Sequence, residues 1–95
     1  MPPLDHEYVQ KYAAQVPDWK VSDDEKKISR EFTFRDFVEA MKFVNAVADI
    51  AQSEGHHPDI SFGWGYAEFL LWTHAIGGLH ENDFIVASKI NGLNV

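Results

Sequence analysis

The chain contains no cysteine, few basic side chains and no long apolar run. Without a thiol it has no disulfide, no thiolate nucleophile and no zinc–thiolate site. Its 8 basic residues against 15 acidic ones give a net charge of −7, which disfavours nucleic acid or an anionic membrane surface as the main partner. No apolar run approaches the roughly 20 residues of a membrane span, and Met1 to Asp5 has no signal-peptide pattern. We therefore expect a cytoplasmic location.

The 95 residues are enough for one domain with one core, and we expect residues 1–95 to form it. Hydrophobic residues make up 45% of the chain and charged residues 24%, which is typical of a folded protein and not of a disordered one. A domain of this size buries only about 60–65% of the surface that its unfolded chain exposes. Association with further copies would therefore stabilise it.

A long helix is the clearest element in the sequence. From Phe37 to Ala51, apolar side chains recur every three or four positions, as on a helix that lies on a core. Residues 33–36 form its candidate capping box, and Gly55 is well placed just after its end.

The hydrophobic spacing predicts six further elements around this helix. Residues 60–64 and 66–74 read as the two strands of a β-hairpin that turns at Gly65. The other predicted elements are a helix over 4–15, strands near 19–21 and over 26–34, and a helix over 81–91. This order predicts an α+β fold, namely a four-stranded antiparallel sheet with helices packed on one face as a two-layer sandwich.

The last helix carries four consecutive apolar residues, Phe84 to Ala87. Such a run wraps around a helix and cannot all face one sheet. Burial on two sides, by the chain's own sheet and by another subunit, is the simplest account, so we expect a homodimer or homotetramer formed through this helix.

Three of the five histidines, His56, His57 and His74, lie in the second half of the chain. Pairing of the hairpin strands about Gly65 brings the segment after Pro58 close to the strand end that carries His74. Imidazole both accepts and donates protons near neutral pH, so convergent histidines permit acid–base catalysis without a metal. Two alternatives stay open at this point, namely ordinary surface histidines and a zinc site made by three histidines and a carboxylate.

Asp83 and the tryptophans each have a simpler interpretation beside the functional one. Asp83 lies in the first turn of the last helix, where a carboxylate stabilises the helix dipole. Trp19, Trp64 and Trp72 are core or interface candidates, although Trp72 lies two residues from His74 and could border the same pocket.

Together these residues resemble the pterin-4a-carbinolamine dehydratase family over roughly residues 17 to 91. The most specific element is His56-His57-Pro58 followed by Thr73-His74. Further matching positions are Gly55, Asp59, Gly78-Leu79, Asp83 and Ala87, and upstream Trp19, Phe32-Thr33-Phe34, Asp36-Phe37, Ala40, Phe43 and Val47.

The resemblance implies a reaction and its residues. Aromatic amino-acid hydroxylases leave their pterin cofactor as a 4a-hydroxy adduct, and the family eliminates water from it to give quinonoid dihydropterin for tetrahydrobiopterin recycling. It implies His56 and His74 as the acid–base pair and His57 as a residue that binds and orients the pterin. It also places Asp83 near the pocket and Trp19 at its border, and it requires no metal or organic cofactor.

Two positions depart from the family pattern. A glutamate common in the family is Gln52 here, which removes a carboxylate partner for a histidine unless Glu54 replaces it. The serine or threonine that usually caps the last helix is His80, which predicts a weaker helix start. These differences bear on the rate and the pH optimum more than on the reaction.

A non-enzymatic function is the main alternative. Members of the family also act as protein-binding modules that stabilise a transcription-factor dimer through the last helix. A chain could keep the site and use only that surface. A metal-dependent hydrolase or carrier that uses the three histidines is a third possibility.

Overall fold

The computed structural model describes residues 2–93, so Met1 and Asn94–Val95 of the predicted domain lie outside the described residues. Four strands form one antiparallel sheet in the order β1-β2-β4-β3. They are β1 (Lys20–Val21), β2 (Ile28–Thr33), β3 (Asp59–Gly63) and β4 (Tyr66–Leu71), and the helices are α1 (His6–Ala13), α2 (Phe37–Glu54) and α3 (Glu81–Asn91). The predicted α+β sandwich is confirmed.

The core lies between the helices and one face of the sheet. Along β4, Ala67, Phe69 and Leu71 are buried, while Glu68 between them is exposed, which is the alternation of a strand with one wet face. α2 presents Phe43 to this face, and its ring lies 5.8 Å from that of Phe69. Aromatic pairs at this separation add to the stabilisation from burial.

Both ends of α2 are set by local chemistry. The Asp36 carboxylate accepts a hydrogen bond from the Glu39 backbone N–H at 2.9 Å, and the Glu39 carboxylate accepts one from the Arg35 N–H at 3.0 Å. The capping interactions therefore fall on residues 35–39, and the predicted box over 33–36 was wrong. At the other end Gly55 has φ 63°, a left-handed conformation that suits glycine, as predicted.

The second hairpin strand is shorter than predicted. It ends at Leu71, because Thr73 instead pairs with Gly78, donating its N–H to the Gly78 carbonyl at 2.9 Å. This bridge closes a loop in which His74–Ile76 forms a short 3₁₀ helix. The prediction that His74 ends a strand was therefore wrong, and His74 begins a turn.

Three of the four residues in the apolar run of α3, Phe84, Val86 and Ala87, are buried within the chain, and the Tyr12 ring of α1 stacks 5.6 Å from that of Phe84. The fourth, Ile85, is 37% exposed. The expected homodimer or homotetramer through this helix stays a prediction. Several large apolar side chains on α2 and around the β3–β4 hairpin are exposed, among them Phe37, Val38, Met41, Phe62 and Trp64. Within residues 2–93, no helix is long and apolar enough to cross a membrane.

Candidate active site

A fully buried carboxylate, that of Asp83, lies at the centre of the site. Its Oδ2 accepts hydrogen bonds from the Thr73 hydroxyl at 2.8 Å and from the His80 backbone N–H at 2.9 Å. Its Oδ1 is bonded to Nε2 of His56. A carboxylate buried without partners would cost several kcal/mol, so these three donors are what makes its burial tolerable.

His56 reaches Asp83 because the chain turns sharply at the end of α2. Gly55 provides the left-handed residue, and the His56 N–H donates to the Ala51 carbonyl at 3.0 Å. The His56 side chain keeps 14% of its surface exposed, and its Nε2 is held by the buried carboxylate. An imidazole fixed in this way has a set orientation and one nitrogen free for proton transfer.

His57 points away from this cluster. Its Nε2 lies 3.1 Å from the side-chain oxygen of Gln52 on the exposed surface at the end of α2. The glutamine that replaces the expected glutamate therefore still gives His57 an acceptor, although an uncharged one. Glu54 does not take that role, because its carboxylate binds Nζ of Lys89 at 2.6 Å.

His74 directly follows Thr73 in the chain, and Trp72 directly precedes Thr73. Its ring lies 4.6 Å from that of Trp72 in an edge-to-face arrangement. The two rings border a cleft of about 270 Å³, whose other lining residues are Lys26, Lys27 and Gly77. Because Thr73 donates to Asp83, the chain places His74 directly beside the residue that binds the buried carboxylate.

Trp19 lies apart from these residues. It is 3% exposed, and its indole N–H donates to the side-chain oxygen of Asn91 at 2.8 Å, at the opposite end of α3 from Asp83. The described residues contain no group of three or more histidine, cysteine, aspartate or glutamate side chains arranged to hold a metal ion.

Comparisons with known proteins identify the family of the chain. The family model described as "Pterin 4 alpha carbinolamine dehydratase" matches residues 2–93. The chain belongs to this family. A relative in Halorhodospira halophila is 48% identical over 91 residues, which are 96% of this chain and 84% of that protein. A relative in Aromatoleum aromaticum is 50% identical over 93 residues, or 98% and 83%. Both carry the name "Putative pterin-4-alpha-carbinolamine dehydratase".

Solved structures of pterin dehydratases share the fold. A Brucella melitensis protein described as a transcriptional coactivator/pterin dehydratase superposes with a TM-score of 0.87 at 28% identity, covering 94% of this chain and 95% of its own. A pterin dehydratase-like RuBisCO assembly factor of the alpha-carboxysome gives a TM-score of 0.66 at 21% identity, covering 78% and 86%. At that identity the second likeness concerns the fold alone.

The prediction from the sequence was wrong for one residue at the start of α3, His80. Its ring Nδ1 accepts the Asn82 N–H at 3.3 Å, and its own N–H donates to Asp83, so the two residues form a capping box. The predicted weak start of α3 was therefore wrong. A polar residue three positions before an acidic one is the sequence pattern of a capping box, so this box could have been predicted from His80 and Asp83.

Proposed function

We propose that the chain eliminates water from a 4a-hydroxytetrahydropterin by general acid–base catalysis. The reaction breaks the C4a–O bond as a proton reaches the leaving hydroxyl, and it removes the proton from the neighbouring ring nitrogen, N5. The products are water and quinonoid dihydropterin. No electron is gained or lost, so the step requires only groups that give and take protons.

The observation that carries the proposal is the His56–Asp83 pair. Asp83 is fully buried and the His56 side chain is 14% exposed, so a ring held by a buried carboxylate still reaches the surface. Histidine has the unperturbed pKa best suited to both directions of transfer near neutral pH. A carboxylate behind the ring orients it and stabilises its protonated form.

The proposed roles of the three histidines are those that the family resemblance implies. His56 and His74 are the proposed acid–base pair, with the choice of acid and base left to experiment. His57, held by Gln52 near the surface, is proposed to bind and orient the pterin. Asp83 positions His56. The resemblance predicts a contact between Trp19 and the substrate. Trp19 lies in the core, and this contact stays a prediction.

The physiological substrate is proposed to be the adduct left by an aromatic amino-acid hydroxylase, so that the chain recycles tetrahydrobiopterin in the cytoplasm. The family membership supports a pterin as the ligand. The test is the decay of the 4a-hydroxypterin absorbance produced by phenylalanine hydroxylase, followed with chelator present and with or without the protein. Acceleration by the protein is expected.

Variants separate the site from the rest of the surface. His56→Ala and His74→Ala should each lower turnover by about 10²–10⁴-fold, and substrate binding by less. The matched control is His6→Ala. His6 is an exposed histidine that contacts Glu25, and it is distant in sequence from His56 and His74. Equal losses in all three variants, or no acceleration by the folded wild-type protein, would contradict the proposal.

A binding module is the second candidate. A groove of about 240 Å³ runs between α1 and α3, lined by Tyr12, Phe84, Ile85 and Lys89 among others. The Brucella melitensis protein with this fold is described as both coactivator and dehydratase. In this function α3 would bind a partner protein, or a further copy as homodimer or homotetramer. Full dehydratase activity in a surface variant such as Ile85→Glu, together with loss of association, would assign the groove to binding.

A further inference from the structure

The cleft beside His74 contains charged groups that the proposed proton transfer does not use. Two of the chain's 8 basic residues, Lys26 and Lys27, line it together with Trp72. The protein as a whole carries a net charge of −7, so a positive cleft differs in sign from most of its surface. Clefts of one sign raise the local concentration of ligands of the opposite sign.

The position of Lys27 follows from the strand register. Ile28 of β2 pairs with Leu71 of β4, so the next residues outward, Lys27 and Trp72, lie across from each other. Nζ of Lys27 lies 3.6 Å from the centroid of the Trp72 ring. This cation–π contact holds the ammonium in the cleft beside the ring that also contacts His74.

Lys26 is fixed by the turn before β2. Its backbone N–H donates to the Ser22 hydroxyl oxygen at 3.2 Å and to an Asp24 carboxylate oxygen at 3.1 Å. Its side chain is exposed at the cleft. Within residues 2–93 neither lysine forms an ion pair, whereas Arg30, Arg35 and Lys89 each lie within 4 Å of a carboxylate. Neither ammonium group is therefore bonded directly to a carboxylate, although that of Lys27 lies over the face of the Trp72 ring.

Asp24 is the carboxylate that opposes them. Hydrogen bonds from the Ser22 hydroxyl and the Lys26 backbone N–H hold the pKa of Asp24 below its ordinary value, and both lysines add to this effect. Asp24 is thus ionised at neutral pH and offsets part of the lysine charge. The Ser22 hydroxyl and the Lys26 N–H both donate to its Oδ1, and Asp24 is not among the residues that line the cleft, whereas both lysines are.

We propose that this cleft is a subsite for an anionic substituent of the substrate. A pterin whose reacting ring lies at His74 would place a carboxylate or phosphate on its side chain between Lys26 and Lys27, and such a pterin is bound in preference to one with an uncharged side chain. This inference rests on the proposed function, because it assumes that a pterin binds at His74. Lysine ammonium groups bind both kinds of anion through charge-assisted hydrogen bonds.

The test compares three pterins that share the ring and differ in the substituent at C6, namely 6-hydroxymethylpterin, its phosphate ester and pterin-6-carboxylate. Binding is followed by quenching of tryptophan fluorescence at low and at high salt. The charged pterins should bind about tenfold more tightly than the neutral one, and the difference should shrink as salt rises. Whichever charged probe binds more tightly identifies the anion.

Variants assign the preference to the cleft. Lys26→Gln/Lys27→Gln should abolish it while leaving the affinity for 6-hydroxymethylpterin unchanged, and Asp24→Asn should increase it. Lys42→Gln is the matched control, because Lys42 is an exposed lysine of α2 outside the cleft. Each single lysine variant should lose part of the preference, which keeps the test valid if the double variant is poorly folded.

The outcomes separate this inference from the proposed function. Equal affinity for all three probes, or a preference that survives in the double variant, would overturn the subsite and leave the dehydratase standing. Failure of every probe to bind the folded protein would overturn the proposed function and the subsite with it.

Discussion

The two ends of α3 are each tied to the rest of the chain by a polar cluster, but the clusters differ in chemistry. At the start, the Asp83 carboxylate accepts from Thr73 and His80 and is bonded to His56. At the end, the Asn91 side-chain oxygen accepts from the Trp19 indole at 2.8 Å and from the Arg30 guanidinium at 2.7 Å. The first contains groups that exchange protons near neutral pH, whereas indole, amide and guanidinium do not.

This difference shows that a cluster of side-chain hydrogen bonds is not by itself a candidate functional site. Both clusters satisfy their polar atoms, and no buried side-chain nitrogen or oxygen among the described residues lacks a partner. Only the pairing of a titratable ring with a buried carboxylate adds chemistry to structure. The four predictions below test whether the two ends separate in this way.

The largest effect is expected from Asp83→Asn. The variant keeps the size of the side chain, but it replaces a carboxylate oxygen by an N–H₂ that faces donors. We expect the free energy of unfolding to fall by about 3 kcal/mol, because a buried pair loses its charge partner. Turnover should fall at least about 100-fold, because His56 loses its orienting group. Chemical denaturation and steady-state kinetics measure the two effects separately.

The control for Asp83→Asn is Thr73→Val, which removes one donor and leaves the His56–Asp83 pair. It should cost about 1 kcal/mol of stability. Its turnover should remain far above that of Asp83→Asn. Equal turnover in the two variants would mean that the cluster acts only through stability.

At the other end of α3, Trp19→Phe should affect stability without affecting catalysis. It removes the indole N–H and some buried volume, so the free energy of unfolding should fall by about 1–3 kcal/mol. The values of kcat and KM should stay unchanged at a temperature where the variant is folded. A clear rise in KM would instead support the substrate contact that the resemblance predicted for Trp19.

A further variant tests the exposed histidine His57. His57→Ala should raise KM by up to about tenfold with little change in kcat, as expected when one hydrogen bond to substrate is lost. Gln52→Ala removes only the ring's partner, at 3.1 Å, and should raise KM less. A fall in kcat as large as that of His56→Ala would place His57 in the acid–base pair.

The sequence predicted the fold class because it rests on local patterns, and short motifs supplied the candidate site residues. Hydrophobic spacing located three helices and four strands, and the His56-His57-Pro58 and Thr73-His74 motifs located the histidines. It could not predict that Thr73 pairs with Gly78 and turns His74 out of the strand, since that bridge depends on tertiary contacts. Nor could it show that the Tyr12 ring of α1 stacks on Phe84.

The Asp83 interpretation shows where local reasoning stops. Its position in the first turn of α3 correctly predicted a helix-stabilising residue, and the structure adds its bond to His56. The two functions coexist because the carboxylate has two oxygens with room for several donors. Spacing in sequence gives the first function, and only the packing of α2 against α3 gives the second.

The smallest effect is expected from the exposed cluster of Glu25, His6 and Gln10. Its contribution to stability is the reference for the clusters at the two ends of α3. The carboxylate of Glu25 accepts from His6 at 2.8 Å and from Gln10 at 2.9 Å, and these bonds, His6 first, hold the pKa of Glu25 below its ordinary 4.5. A lowered folded-state pKa means that the stabilisation is complete above the unfolded-state pKa and is lost as the pH falls through the folded one.

Glu25→Gln should therefore lower the Tm slightly at neutral pH, and the difference from wild type should vanish in acid, below the lowered pKa. Thermal melts across that pH range measure it, with His6→Ala as the partner variant. Because the cluster is exposed, its loss should be much smaller than that of Asp83→Asn, although both carboxylates accept several hydrogen bonds. Comparable losses in Tm would mean that the number of bonds, and not burial, determines what a polar cluster contributes here, and the contrast between the two ends of α3 would then lose its physical basis.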